Sequence, residues 1–195
     1  MIGTTLDCVV RELNAVICRR LKLNPSSDKV QLSSIIEPDG SFSVQDNNVL
    51  LLKLVSIEPD PIANGSDPIT YRGANPKLVE SSPLYLNLKI LLAAYFKPKD
   101  LKSGLNMLSM GIAYLQGKTL WNPQNTPSLP KGVQRLTFEM EGLDLHQQSH
   151  MWGAIGVKQM PAILYKLRML TIDDHNIQEV IPVVTSVSTS TTSDQ

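Results

Sequence analysis

Residues Leu84–Leu92 constrain the fold of this chain most. Leu84, Leu86, Leu88, Ile90 and Leu92 alternate with Tyr85, Asn87 and Lys89. That period of two gives a β-strand one apolar face and one polar face. Such a strand needs neighbours on both edges and a layer over its apolar face. Other segments supply the neighbours. The run Val49-Leu-Leu-Leu-Lys-Leu-Val suits a strand over Val49–Ile57 buried on both faces. Val30–Ile36 reads as a short strand ended by Pro38-Asp39-Gly40. Val133–Glu141 alternates with Leu136, Phe138 and Met140 inward, and Ile163–Ile172 adds a further strand.

Two segments change to the helical period and provide the covering layer. Leu6, Val9, Val10, Leu13, Val16, Ile17 and Leu21 recur at spacings of three and four. Thr4 or Thr5 is placed to cap this first helix. Asp7 stands near its positive end, and Arg19, Arg20 and Lys22 near its negative end. Leu101, Leu105, Leu108, Ile112 and Leu115 mark the apolar stripe of a second helix that Gly117 ends. A short third helix is expected around Leu145–Trp152. The expectation is one α/β (α+β) domain, with helices over a mainly antiparallel or mixed sheet.

The connections are legible too. Glu58 to Pro83 is rich in Pro, Gly, Asn, Asp and Ser, and reads as a long connection with an extended piece at Ile69–Tyr71. Trp121–Gly132 carries three prolines and reads as loop. Asp173-Asp174-His175-Asn176 is a turn. Ile177–Val187 is extended and β-branched, and Ser188–Gln195 is a polar tail expected to be disordered. The division is therefore 1–176 for the folded domain and 177–195 for an extended C-terminal segment with a Ser/Thr tail.

Charge narrows the partners. The 195 residues hold 18 basic and 18 acidic side chains. No cationic excess exists to neutralise phosphates, which argues against nucleic acid. No apolar run approaches a membrane span, and the N-terminal stretch lacks the basic and apolar regions of a signal peptide. A protein made in the cytoplasm and not inserted in a membrane is the expectation.

The chemistry-bearing residues give no catalytic constellation. His146 and His150 lie one helical turn apart, a spacing that can bind zinc. A zinc protease needs glutamate after the first histidine as its base, and Gln147 stands there. The spacing alone is a weak signal, so the pair reads as solvent-facing. Neither a metal nor a cofactor is expected. Cys8 and Cys18, ten residues apart on one helix, would be separated by about 15 Å, too far for a disulfide. They read as core residues. His175 beside Asp173 and Asp174 lacks a nucleophile, and no glycine pattern forms a phosphate loop. Glu139 and Glu141 share one strand face. They would act as a glycosidase pair only with a cleft from a second element, and an interface-facing or solvated surface is the commoner arrangement. Met107 and Met110 read as packing residues. Trp152 is either a core anchor or an interface anchor.

Several blocks in order carry a resemblance. They are Leu54-Val-Ser-Ile-Glu-Pro-Asp60, Leu84-Tyr-Leu-Asn-Leu-Lys-Ile-Leu-Leu-Ala-Ala-Tyr-Phe96 and Leu108-Ser-Met-Gly-Ile-Ala-Tyr-Leu-Gln-Gly-Lys118. Val133–Glu141, Met151-Trp-Gly-Ala-Ile-Gly156 and Pro161–Ile172 continue the series. Together they resemble the terminator or cap family of extracellular contractile injection systems, of the antifeeding-prophage type. Members often have Ser where this chain has Ala162, while Tyr165, Lys166 and Arg168 are retained. The resemblance implies a structural, non-enzymatic subunit of a six-fold homo-oligomeric ring. It would dock on inner tube protein and sheath protein at the membrane-distal end and fix particle length. The bacterial cytoplasm would be the place of assembly, and the finished particle would be released or membrane-anchored. Candidate interface residues are Trp152, Lys166, Arg168, Ile177, Val180, Val183 and Val184. A baseplate or adaptor subunit of the same machine is the alternative. A cell-wall hydrolase using Glu139, Glu141 or the histidine pair is a more distant one.

Overall fold

The computed structural model describes residues 1–37, 39–44, 48–61, 69–72, 77–81, 84–172 and 177–181. At 69–72, 77–81, 169–172 and 177–181 the description is of backbone only. In chain order the elements are α1 (Ile2–Leu21), β1 (Val30–Leu32), β2 (Val49–Pro59), β3 (Ile69–Arg72), β4 (Lys77–Ser81) and β5 (Leu84–Tyr95). Then come α2 (Leu101–Gly117), β6 (Leu120–Trp121), β7 (Leu136–Glu141), α3 (Leu145–Ile155), β8 (Ala162–Ile172) and β9 (Ile177–Ile181).

Six strands form one mixed sheet in the order β1-β2-β5-β8-β7-β6. Only β1–β2 is parallel; the other pairs are antiparallel. The expected α+β architecture is what the chain adopts. A second sheet has the order β3-β4-β9. The β5–β8 partnership is repeated in it: Leu84 lies opposite Ile172 in one sheet, and Glu80 opposite Ile177 in the other. Two stretches of chain therefore run as partners through both sheets.

Alternation assigns the two faces. Leu50, Leu52, Leu88, Ile90, Leu92, Leu136, Phe138, Tyr165 and Leu167 point to one side, where they join Leu6, Val9, Leu13 and Ile17 of α1 with Met107, Leu108 and Leu115 of α2. This is the main core. On the opposite face Leu91, Ala93 and Leu164 are covered by Trp152 of α3. Next to them Leu51 packs with Ile35, Val44 and Val49.

Several local expectations change. Thr4 and Thr5 lie inside the first turn of α1, and both hydroxyls donate back to the carbonyl of Met1, the capping residue. β1 stops at Leu32, because Ser33 turns the chain. Its hydroxyl oxygen accepts from the Ile35 amide at 2.9 Å and lies 2.7 Å from the Ser43 hydroxyl. β5 is buried on both faces at Leu91 and Ala93, since α3 covers that end of its second face. The inward line of α2 is not Leu101–Leu105, both of which are exposed. It runs through Gly104, Met107, Leu108, Gly111 and Leu115. A Cβ at Gly104 would stand 2.6 Å from the Phe96 ring, so the missing side chain is what lets the helix seat there. Trp121 is strand rather than loop, β4 adds a strand inside the long connection, and α3 runs on to Ile155.

The cysteines behave as core residues. Both are buried and free, and Cys18 Sγ donates to the Ser27 carbonyl at 3.3 Å. Tyr114, half-buried beside Glu12, has its phenol pushed up to about 12, chiefly by burial and then by that carboxylate.

Candidate functional site

The second sheet face changes character past α3. Following the same alternation away from Leu91 and Leu164, the outward side chains become Glu58 and Asp60 of β2 and its end, Asn87 and Lys89 of β5, Lys166 and Arg168 of β8, and Glu139 and Glu141 of β7. Strand register sets these charges side by side, with Lys166 opposite both Lys89 and Glu139.

The ion pairs fall in two rows. Lys89 Nζ lies 3.0 Å from Glu141 and 3.2 Å from Glu58. Arg168 lies 3.1 Å from Glu139 and 3.4 Å from Asp60. Hydrogen bonding to Glu141 is the largest cause raising Lys89 above the usual lysine value, against the opposing effect of burial. Arg168 is raised first by its hydrogen bond to Glu139. Glu139 and Glu141 are each tied to a cation, which makes them cross-strand ion-pair partners. Lys166 has no ion-pair partner among the described residues. Asn87 is buried, and both ends of its amide lack a hydrogen-bond partner among the described residues.

The energetic weight differs along the rows. The Asp60 side chain is only 2% exposed, while Arg168 is 30% exposed. Replacing Arg168 with methionine leaves a buried carboxylate without its guanidinium. The expected loss is about 1–2 kcal/mol, held down by the solvent that reaches the arginine. Chemical denaturation would measure it, and Arg168→Lys should lose less because charge remains.

A groove of about 600 Å³ opens beside the rows, between the end of β7, α3 and the start of β8. Met140, Met151, Met160 and Trp152 line its apolar part, and Glu141 and Gln148 supply polar atoms. Trp152 is 4% exposed and packs on the sheet. Its indole is a core anchor within the chain, and it also lines this groove.

The other candidates scatter. His146 and His150 sit on the exposed side of α3. Ile177 and Val180 belong to β9, which pairs with β4 of its own chain. Val183, Val184 and the turn containing His175 lie outside the described residues. Sequence reasoning missed Glu58, Asp60 and Asn87 as members of this surface. Asp60 meets Arg168 across 108 residues, and no local spacing signals such a pair. No helix among the described residues is long and apolar enough to cross a membrane.

The sheet is thus buried by α1 and α2 on one face and carries ion-paired rows on the other, with the groove beside them. A profile of the Pvc16 N-terminal domain family matches residues 7–186, and the chain belongs to that family. Two solved structures share the fold. One is the sheath/tube terminator of the PVC extracellular contractile injection system in its extended state. It matches at a TM-score of 0.59 and 12% identity, over 96% of this chain and 63% of that one. The other is the tube-terminating cap of the anti-feeding prophage, at 0.59 and 11%, over 97% of this chain and 60% of that one. The chain thus spans less than two thirds of the length of either. No curated protein sequence matches it.

Proposed function

We propose that this chain is a structural, non-enzymatic ring subunit that caps and terminates the inner tube and sheath of a contractile injection system. The observation that carries this reading is the fold likeness, over nearly the whole chain, to both a sheath/tube terminator and a tube-terminating cap. The partners are further copies of the chain, tube protein and sheath protein. A six-membered ring is the favoured assembly, since a head-to-tail interface either closes or runs on as a filament. The charged rows and the neighbouring groove offer contact surface, with Lys166 as a cation available to a neighbour. From Ile177 onward the chain adds strand-type contacts to a neighbouring subunit or to the sheath. β9 uses one edge on β4, and among the described residues nothing pairs with its other edge. Assembly takes place in the bacterial cytoplasm.

A terminator acts by occupying the end of a growing stack, so its loss removes the stop. Particles purified from a strain lacking the gene should have intact baseplates and a broad or unstable length distribution in electron micrographs. Particles of normal, stable length would overturn the reading. Labelled copies at the baseplate end would instead favour an adaptor role.

A further inference from the structure

The solvent side of α3 holds a feature that the capping reading leaves unused. His146 and His150 are both exposed. Their rings meet edge to face with centroids 4.4 Å apart. The two Nε2 atoms face each other at 3.3 Å. Zinc holds imidazole nitrogens at about 2.0–2.1 Å in tetrahedral geometry, which places two of them about 3.3–3.4 Å apart. The separation of the two nitrogens equals the bite of one tetrahedral ion, and rotation of the exposed rings about their side-chain bonds aims both lone pairs at it.

We propose that His146 and His150 form a two-histidine site for a divalent transition ion of the zinc class, each giving Nε2. The same separation accommodates a hydrogen bond between two neutral rings. Between exposed groups that bond contributes little, because water competes for both partners. An ion bound by both nitrogens takes each ring as its Nδ1–H tautomer, so the proton shared between the Nε2 atoms moves to Nδ1, and the nitrogen separation is kept.

The support around the pair is rigid. Asp144 and Gln147 form a reciprocal capping box: the Gln147 amide donates to Asp144 Oδ1 at 2.7 Å, and the Asp144 amide donates to Gln147 Oε1 at 3.1 Å. Gly156 closes the helix in the left-handed conformation, and Trp152 pins the opposite side to the sheet. The imidazoles are thus presented from a helix fixed at both ends and along its buried face.

These contacts also fix the ligand count. The Asp144 oxygen and the Gln147 amide oxygen that form the box are occupied by each other's backbone. Among the described residues no group of three or more His, Cys, Asp or Glu could hold a metal. The chain gives two ligands, and water fills the remaining positions. A structural zinc site is closed by four protein ligands, so this one is open and exchangeable. Gln147 still denies it the base of a zinc hydrolase. The proposal is independent of the capping role.

The test uses the full chain. Zinc is titrated by calorimetry, and cobalt(II) by visible absorption, whose intensity reports four-coordination. One ion per chain is expected. His146→Gln and His150→Gln should each weaken binding about 100-fold, the usual scale for losing one half of a chelate. His175→Gln should leave it unchanged. Unaltered melting of the metal-free variants shows that α3 is intact. Absence of saturable binding below about 1 mM would overturn the proposal. So would variants that bind as tightly as the parent, which would place the ion on Cys8, Cys18 or His175 instead.

Discussion

Replacing Trp121 with alanine is expected to destabilise the chain by about 3–5 kcal/mol, a large share of the 5–15 kcal/mol typical of a folded domain. Trp121 is 0% exposed and sits on β6, a strand of two residues at the sheet edge. So short a ladder cannot hold the edge alone. The indole does so, tilted against Phe138 at 4.9 Å between centroids and edge-on to Tyr114 at 6.1 Å. Its Nε1 donates to the Lys118 carbonyl at 2.8 Å, which ties the end of α2 to the same point. At this chain length the melting temperature should fall by about 6–20 °C. Trp121→Phe keeps much of the apolar area but loses the donor and one ring's volume, so it should cost less than alanine, about 1–3 kcal/mol. A melting temperature for Trp121→Ala within about 2 °C of the parent would show that this edge does not depend on the indole.

Truncation after Asn176 is expected to abolish capping while the six-stranded domain stays folded. β9 pairs only with β4 among the described strands, so every hydrogen-bonded pair of the larger sheet survives its loss. What remains of the smaller sheet is the β3–β4 pair, and an isolated two-stranded ribbon is marginal in water. Circular dichroism and thermal melting would report the fold, and particle length would report the function. A truncated chain that unfolds would place β9 in the core of its own domain. One that folds and still gives particles of normal length would show that the segment is dispensable.

The legible parts of this fold are those written in a single period. α1 buries Leu6, Val9, Leu13 and Ile17 on the face its spacing predicts, and β2 is buried on both faces at Val49–Leu52, as its continuous apolar run requires. The misread parts are those where a residue acts through what it lacks or through what lies far away. Gly104 and Gly111 are blanks in a hydrophobic pattern, yet they form the close seam of α2, where a side chain would meet Phe96 or Leu92. That shift put Leu101 and Leu105 on the wrong side. Three prolines after Trp121 concealed its edge strand, because proline punctuation reads as loop even where one residue before it belongs to the core.

The candidate surface was legible by half. Glu139 and Glu141 were placed on a common face by alternation, and Lys89 away from the apolar face of β5. The cations that meet the two carboxylates come from β5 and β8, so the pairing follows from strand order and not from sequence distance. The histidine pair shows the converse. Its spacing is visible in the sequence, but the 3.3 Å approach of the two ring nitrogens depends on side-chain rotamers that spacing does not set.

The ends of β5 and β8 that lie opposite each other give the domain a mechanical axis. β4 leads into β5, and β8 leads into β9, with the same antiparallel partnership on both sides of the junction. A pull applied at Leu84 and Ile172 along the strands draws β5 and β8 as a pair. It loads in shear the ladders that tie β5 to β2 and β8 to β7, instead of peeling them one bond at a time. β5 is held on both flanks, by β2 and by β8, over nearly its whole length. Tension entering at those two ends would therefore spread across the middle of the domain before any edge strand could be stripped away.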